Sequence, residues 1–312
     1  MMKITIAICT WNRCELLKQT LEHMVALDIP DWVTWDILVV DNNCSDATQQ
    51  VIESFGSRLP IRTVMEPMPG LCNARNRAIA STDADLLVFT DDDVLVSPTW
   101  IAALAAAARR HPEAAAFVGP VEPWFPALPD PLLADVFPEL KRGFCSVNIA
   151  REEQPLADEL IDSVYGVNMA FRMSHIESLR FDPRFGPTHV DPGKAGDEAA
   201  FMRLIRRHGG LIVWCPTMTL LHFVDPSRMK LEYLLKFSAG RGRMLVRRDG
   251  VSGVLVCGIP RWMLVLLIRH TLRYAVFAVG RDRRRALAAL REHFRLRGMI
   301  SESRLLRREV AL

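Results

Sequence analysis

The apolar run Leu86-Leu87-Val88-Phe89 leads through Thr90 into three consecutive carboxylates, Asp91, Asp92 and Asp93, and no other stretch restricts the architecture as tightly. Four apolar residues without polar alternation read as a strand covered on both faces. Three negative charges gathered at the end of such a strand are costly unless a cation, or a metal carried by a phosphate group, offsets them. A solvated acidic turn is the plainer reading, so the weight of the motif depends on its company.

That company is a series of alternating strands and helices. Ile4 to Cys9 is a short strand; Asn12 and Glu15 have capping-box spacing, and Leu17, Leu21 and Met24 recur at helical intervals. Ile37-Leu38-Val39-Val40 is a second buried strand, Ala47, Val51, Ile52 and Phe55 stripe a second helix, and Ile61 to Val64 is a third strand. A helix follows Gly70, and Ser97 with Pro98 opens another after the Leu86–Phe89 strand. The pattern predicts an α/β fold: a doubly wound sheet flanked by helices, with its ligand beyond the carboxyl ends of the strands. Those ends carry Thr10 to Arg13, Asp41 to Asn43, Glu66, and Asp91 to Asp93. Each has an ordinary explanation (Asn12 a cap, Asp41 a turn former, Glu66 a loop charge), but four strands converge on one edge.

From Pro120 to Pro138 the prolines interleave with Trp124 and Phe125, which predicts an irregular loop lining a pocket or crossing between sub-sheets. Order resumes at Val164 to Arg172 and in a helix from Asp197 to about His208, stopped by Gly209-Gly210. Two short strands follow, the second ending at His222.

Charge divides the chain. From Asp225 onward there are 20 Lys and Arg against 7 Asp and Glu, a net of +13, while the preceding residues carry −10. The expected division is a catalytic domain over 1–225 and an Arg-rich helical extension over 226–312, the latter facing an anionic surface. Within the extension, residues 254–280 are apolar but interrupted by Arg261, Arg269, His270 and Arg273. The uncharged runs Trp262–Ile268 and Tyr274–Gly280 are each too short for a membrane span. A helix lying in a bilayer interface, with Arg281 and Arg283 to Arg285 beside headgroups, fits better than a hairpin packed on the catalytic domain. Seven scattered cysteines without a CxxC pair fit a reducing compartment, and no leader is expected where Lys3-Ile4-Thr5-Ile6 enters a strand at once. The expected location is cytoplasmic, peripheral on the inner face of the plasma membrane.

Sugar transfer from a nucleotide diphosphate needs a base and ribose pocket, a metal on the diphosphate, a general base and shelter from water. Asp41 suits the imide hydrogen of a pyrimidine, Arg13 and Arg75 suit ribose or phosphate, and Asp91 and Asp93 suit ribose and Mg²⁺ or Mn²⁺. Asp197 and Glu198 open a helix, whose positive end keeps a carboxylate ionised for deprotonating an incoming hydroxyl. Neutral His222 suits a further metal position, although a buried structural histidine fits as well.

The stretches Ile8-Cys9-Thr10-Trp11-Asn12-Arg13, Leu38 to Asp46, Pro69 to Asn76, Phe89 to Asp93, Gly166 to Arg172, Gly196-Asp197-Glu198 and His222 together resemble inverting family 2 glycosyltransferases of the GT-A fold. The resemblance covers roughly residues 3 to 223. It implies nucleotide-sugar contacts at Thr10, Asn12, Arg13 and Asp41, and a metal-binding Asp-x-Asp at Asp91 and Asp93 with Asp92 as the variable middle position. It also implies UDP as the commonest donor carrier and cell-envelope glycan synthesis on a saccharide or lipid-linked acceptor. The family commonly writes Glu-Asp where this chain has Asp197-Glu198; position favours Glu198 as base and residue type favours Asp197. Two alternatives stand beside this reading. A sugar-nucleotide pyrophosphorylase would need a Gly-rich basic loop near the first strand, and Cys9-Thr10-Trp11-Asn12 is a poor one. A degenerate nucleotide-sugar-binding protein would lack the metal or base carboxylates. No GxGxxG supports a dehydrogenase, and no module supports nucleic-acid binding.

Overall fold

A computed structural model describes residues 1–126, 133, 146–187 and 196–310 of the chain. Two compact units divide it, the first holding Met1–Trp124 and Gly196–Phe223 together with 146–187, the second running from Val224.

The first unit is built on strands β1 (Met2–Thr10), β2 (Val33–Asp41), β3 (Ile61–Met65), β4 (Leu86–Asp91), β5 (Val94–Val96), β6 (Ala114–Val118), β7 (Val121–Trp124), β8 (Gln154–Pro155), β9 (Met169–Arg172), β10 (Leu211–Trp214) and β11 (Leu220–Phe223). Helices α1 (Cys14–Met24), α2 (Thr48–Ser54), α3 (Leu71–Ala80), α4 (Trp100–Arg110) and α5 (Asp197–Arg207) accompany them. Eight strands form a mixed sheet in the order β3-β2-β1-β4-β9-β6-β10-β8. The first four are parallel, and β9 runs antiparallel between β4 and β6. Chain order therefore reverses between β1 and β4, the place where an open α/β sheet leaves a crevice. Ile4, Ile6, Ile8, Leu38, Val40, Leu87 and Phe89 are all buried, which is why these strands lack polar alternation.

A second, three-stranded sheet has the order β5-β11-β7. β5 follows β4 after only Asp92 and Asp93, and β11 pairs with it antiparallel, His222 opposite Val94. The Phe223 amide donates to the Asp93 carbonyl at 2.9 Å. A histidine distant in sequence is thereby brought beside the aspartate triplet.

Local chemistry differs from expectation at three places. Asn12 does not cap α1: it sits at φ 51° and its Oδ1 accepts from the Ser45 amide at 2.6 Å, while Asp46 accepts from the Cys14 amide at 2.9 Å. The cap thus comes from the neighbouring loop. Helix α4 begins at Trp100 rather than at Pro98, because Ser97 accepts from the Thr99 amide in a turn first. The first part of the proline-rich stretch is strand β7, not loop, since Pro123 pairs with His222 across an edge strand of the small sheet, where a missing amide hydrogen is tolerated. Pro129, Pro131 and Pro138 lie outside the described residues.

The second unit holds α6 (Leu231–Asp249), the hairpin β12 (Leu255–Val256) and β13 (Ile259–Pro260), α7 (Arg261–Val279) and α8 (Arg283–Val310). Helices α6 and α8 cross at glycine: a Cβ on Gly242 would collide with the Arg295 carbonyl, and one on Gly298 with the Ala239 carbonyl. Arg247 pairs with the buried Glu302 at 2.5 and 3.1 Å across the same helices. Met263 of α7 packs into a cluster with Val246, Ile259 and Leu296. The two uncharged runs of the sequence are parts of this one helix, which by length and composition is long and apolar enough to cross a membrane.

Candidate active site

Asp91, Asp92 and Asp93 do not share one role: β4 ends at Asp91, and in the bend that follows Asp92 turns back toward β1. Asp92 is 2 % exposed and faces β1, accepting from the Thr10 hydroxyl at 2.7 Å and from Arg13 Nη1 at 2.7 Å. Arg13 Nη2 reaches Asp93 at 2.5 Å, so one guanidinium ties the start of α1 to the end of β4. Burial pushes the Asp92 carboxyl up to about 7 against the pull of Arg13 and Thr10. The sequence reading missed this clamp, because Asp92 and Asp93 lie in a bend between β4 and β5 where no strand period applies.

Asp91 and Asp93 converge on His222. His222 Nε2 lies 3.3 Å from Asp93 Oδ1 and 3.9 Å from Asp91 Oδ2, and one donor atom from each residue falls within 4.8 Å of the other two. Asp91 is the open member, its side chain 32 % exposed, while Asp93 and His222 are buried. Among the described residues the buried His222 Nδ1 has no hydrogen-bond partner. Burial and the adjacent Asp93 charge raise the Asp91 carboxyl. Two crowded carboxylates with an imidazole form a donor set that a divalent ion of the Mg²⁺ or Mn²⁺ type satisfies.

Arg75 of α3 links this cluster to the start of α5. The guanidinium, 3 % exposed, pairs with Asp197 and lies 4.0 Å from Asp91. It stacks over Phe181 at 5.4 Å and Phe89 at 6.0 Å. A Cβ on Gly166 would overlap the guanidinium, which explains why that position is glycine. Burial disfavours the Arg75 charge, but Asp197 and Asp91 more than offset this and keep it cationic. Asp197 is 3 % exposed and engaged with Arg75. Glu198, next along α5, is less buried, and burial together with Asp197 raises its carboxyl well above the ordinary range.

Asp41 ends β2 opposite Thr10 of β1, and Asp91 ends β4 opposite Cys9 of β1. They are therefore two strand spacings apart, roughly 10 Å, across the crevice. Asp41 Oδ1 accepts from the Cys44 amide at 2.7 Å. Asn42 donates to the Glu66 and Met68 carbonyls and accepts from the Gly70 amide, fixing the loop before α3. Glu66 accepts from the Met68 amide, the ordinary loop role. Asn168, fully buried, donates to the Pro120 and Met218 carbonyls and accepts from Trp100, joining the segments that carry β7 and β11.

Residues 5–124 match the model of glycosyl transferase family 2. The chain is 27% identical over 253 residues to the succinoglycan biosynthesis protein ExoM of Rhizobium meliloti, covering 78% of this chain and 76% of that protein. Among solved structures, a mannosyltransferase of Pyrobaculum calidifontis in complex with GDP-Man and Mn²⁺ superposes with a TM-score of 0.62 at 16% identity, covering 96% of this chain and 86% of the other. S. aureus TarS in complex with UDP gives a TM-score of 0.55 at 14% identity, covering 99% and 92%. The polar groups at the carboxyl ends of β1, β2 and β4 thus lie in the segment that matches glycosyl transferase family 2, within a unit that has the GT-A fold of the solved glycosyltransferases.

Proposed function

We propose that residues 1–225 transfer a glycosyl group from a UDP-sugar to a hydroxyl of a cell-surface saccharide or its lipid-linked precursor, inverting the anomeric carbon and using Mn²⁺ or Mg²⁺. One observation carries the reading: Asp91, Asp93 and His222 stand beside an Arg75–Asp197 pair that leads directly to Glu198. The UDP complex of TarS and the role of ExoM in succinoglycan biosynthesis support donor and product class.

Asp41 takes the imide hydrogen of uracil, and the loop pinned by Asn12 forms the adjacent wall. Thr10 and Arg13 act through Asp92 and Asp93, holding the two strand ends at a fixed separation. Asp91, Asp93 and His222 hold the cation, which when bound offsets charge on the diphosphate. Arg75 positions Asp91 and Asp197. With Asp197 engaged, Glu198 is the base. The acceptor oxygen attacks the anomeric carbon, its proton passes to the Glu198 carboxylate, and the sugar–oxygen bond breaks with its electron pair leaving on the diphosphate.

The extension 226–312 lies against the inner membrane surface. Val265, Ile268, Leu272, Val276 and Val279 are exposed at intervals of three and four, one outward stripe of α7. In a spanning pose Arg269 and Arg273 would sit near the bilayer centre, at about 2.5–3.5 kcal/mol each. Lying flat, the stripe enters the hydrocarbon edge and the arginines stay at the phosphates.

Calorimetry of UDP binding with and without Mn²⁺ tests the site: Asp93→Ala should abolish the metal-dependent tightening. Glu198→Gln should bind donor normally and lose about 10²–10⁴-fold in turnover. Undiminished tightening in the first variant, or full turnover in the second, overturns the assignment.

A further inference from the structure

We propose that the second unit carries its own binding site for a lipid phosphomonoester, in the groove between β13, α7 and α8. The groove has a volume of about 600 Å³. Ile259, Leu264, Leu267, Ile300 and Leu305 give it hydrocarbon walls, and its polar side chains among the described residues are Arg297, Ser301 and Arg304, all from α8. Spacings of four and three residues place those three on one face of the helix, the two arginines about 10.5 Å apart along its axis. That separation is short enough for two long side chains to meet at one head group.

The two arginines differ from their neighbours. Arg247 is paired with Glu302, and Arg291 and Arg295 with Glu292. Arg297 and Arg304 make no ion pair among the described residues; Arg297 only lies over the Phe294 ring at 5.4 Å. Among the described residues no carboxylate lines the groove. An apolar trough edged by two uncompensated guanidiniums and a hydroxyl is complementary to an anionic amphiphile, not to a sugar or a hydrocarbon alone. The number of charges narrows the head group. A phosphomonoester carries roughly −1.5 to −2 at neutral pH and matches two guanidiniums, with Ser301 between them as a further donor. A phosphodiester lipid offers one charge. Leu305 of the groove and the outward stripe of α7 are both exposed apolar surface of this unit. The purpose of the site, holding the free lipid carrier before it bears a saccharide, rests on the lipid-linked acceptor reading above; the groove itself does not.

Flotation of the full-length protein with phosphatidylcholine vesicles tests this, the vesicles doped either with polyprenyl phosphate or, at equal total charge, with phosphatidylglycerol. The unaltered protein should bind the polyprenyl phosphate vesicles more tightly. R297Q/R304Q should weaken that binding about thirtyfold, down to the phosphatidylglycerol level, and R297K/R304K should retain most of it. Equal binding to both lipids, no loss in R297Q/R304Q, or displacement by inorganic phosphate at matched concentration would each overturn the site. Mn²⁺-dependent UDP binding, measured on the same preparations, should be unchanged in R297Q/R304Q. A missing lipid preference in the unaltered protein, with donor binding intact, refutes this site alone, whereas absent donor binding in the unaltered protein refutes the transferase reading.

Discussion

Replacing Arg75 by methionine isolates the charge that joins the Asp91–Asp93–His222 cluster to the start of α5. Methionine keeps an unbranched stem against Phe89 and Phe181, so packing changes little and the guanidinium is what disappears. Both Arg75 and Asp197 are 3 % exposed, and removing one partner of such a pair leaves a buried uncompensated charge, at about 3–5 kcal/mol. For a unit of this size each kcal/mol moves the melting point by about 2–4 °C, so a drop of roughly 6–20 °C is expected. Urea unfolding followed by tryptophan fluorescence reads the right unit, because Trp100 and Trp214 are fully buried there. Arg75→Met and Asp197→Asn should each be strongly destabilising, and the double variant should cost far less than their sum. Additive single effects, or a loss below about 1 kcal/mol in Arg75→Met, would refute the idea that the pair is electrostatically coupled and buried.

Three other perturbations test separate parts of the molecule. Glu198→Gln should raise stability at neutral pH but not in acid: a folded carboxyl raised above its unfolded value favours folding while protonated, and that contribution is lost as pH rises through the folded value, a loss the amide escapes. Thermal melts across pH would show the two curves converging at the acid end. Thr10→Val removes a hydrogen bond to a buried carboxylate and should cost about 1.5–3 kcal/mol in chemical denaturation, with Mn²⁺ affinity falling as the strand ends loosen. Gly298→Ala drives a methyl into the Ala239 carbonyl and should destabilise the second unit by about 1–3 kcal/mol, visible as earlier hydrogen exchange in α6 and α8 while β1 to β4 stay protected.

What could be read from the sequence is what the backbone period and the sheet order enforce. Unbroken apolar runs at Ile37–Val40 and Leu86–Phe89 require strands covered on both faces, and the helices between them require parallel pairing, so Thr10, Asp41 and Asp91 had to emerge at one edge. The bend at Asp92 and Asp93 that separates Asp92 from Asp91 has no backbone period to announce it, so the sequence presents three equivalent aspartates. The choice between Asp197 and Glu198 was not legible at all. Helix position puts both near the positive end of α5, and only the approach of Arg75, allowed by the missing side chain at Gly166, occupies one carboxylate and leaves the other to titrate under burial. His222 is the same kind of case: β11 brings it to Asp93 through pairing with β5, a contact set by strand register across more than a hundred residues. Local sequence therefore fixes which polar groups reach the crevice. Which of them is spent on structure and which remains for chemistry is decided by long-range partners, as the unlike fates of Asp92 and Asp91, one residue apart, show.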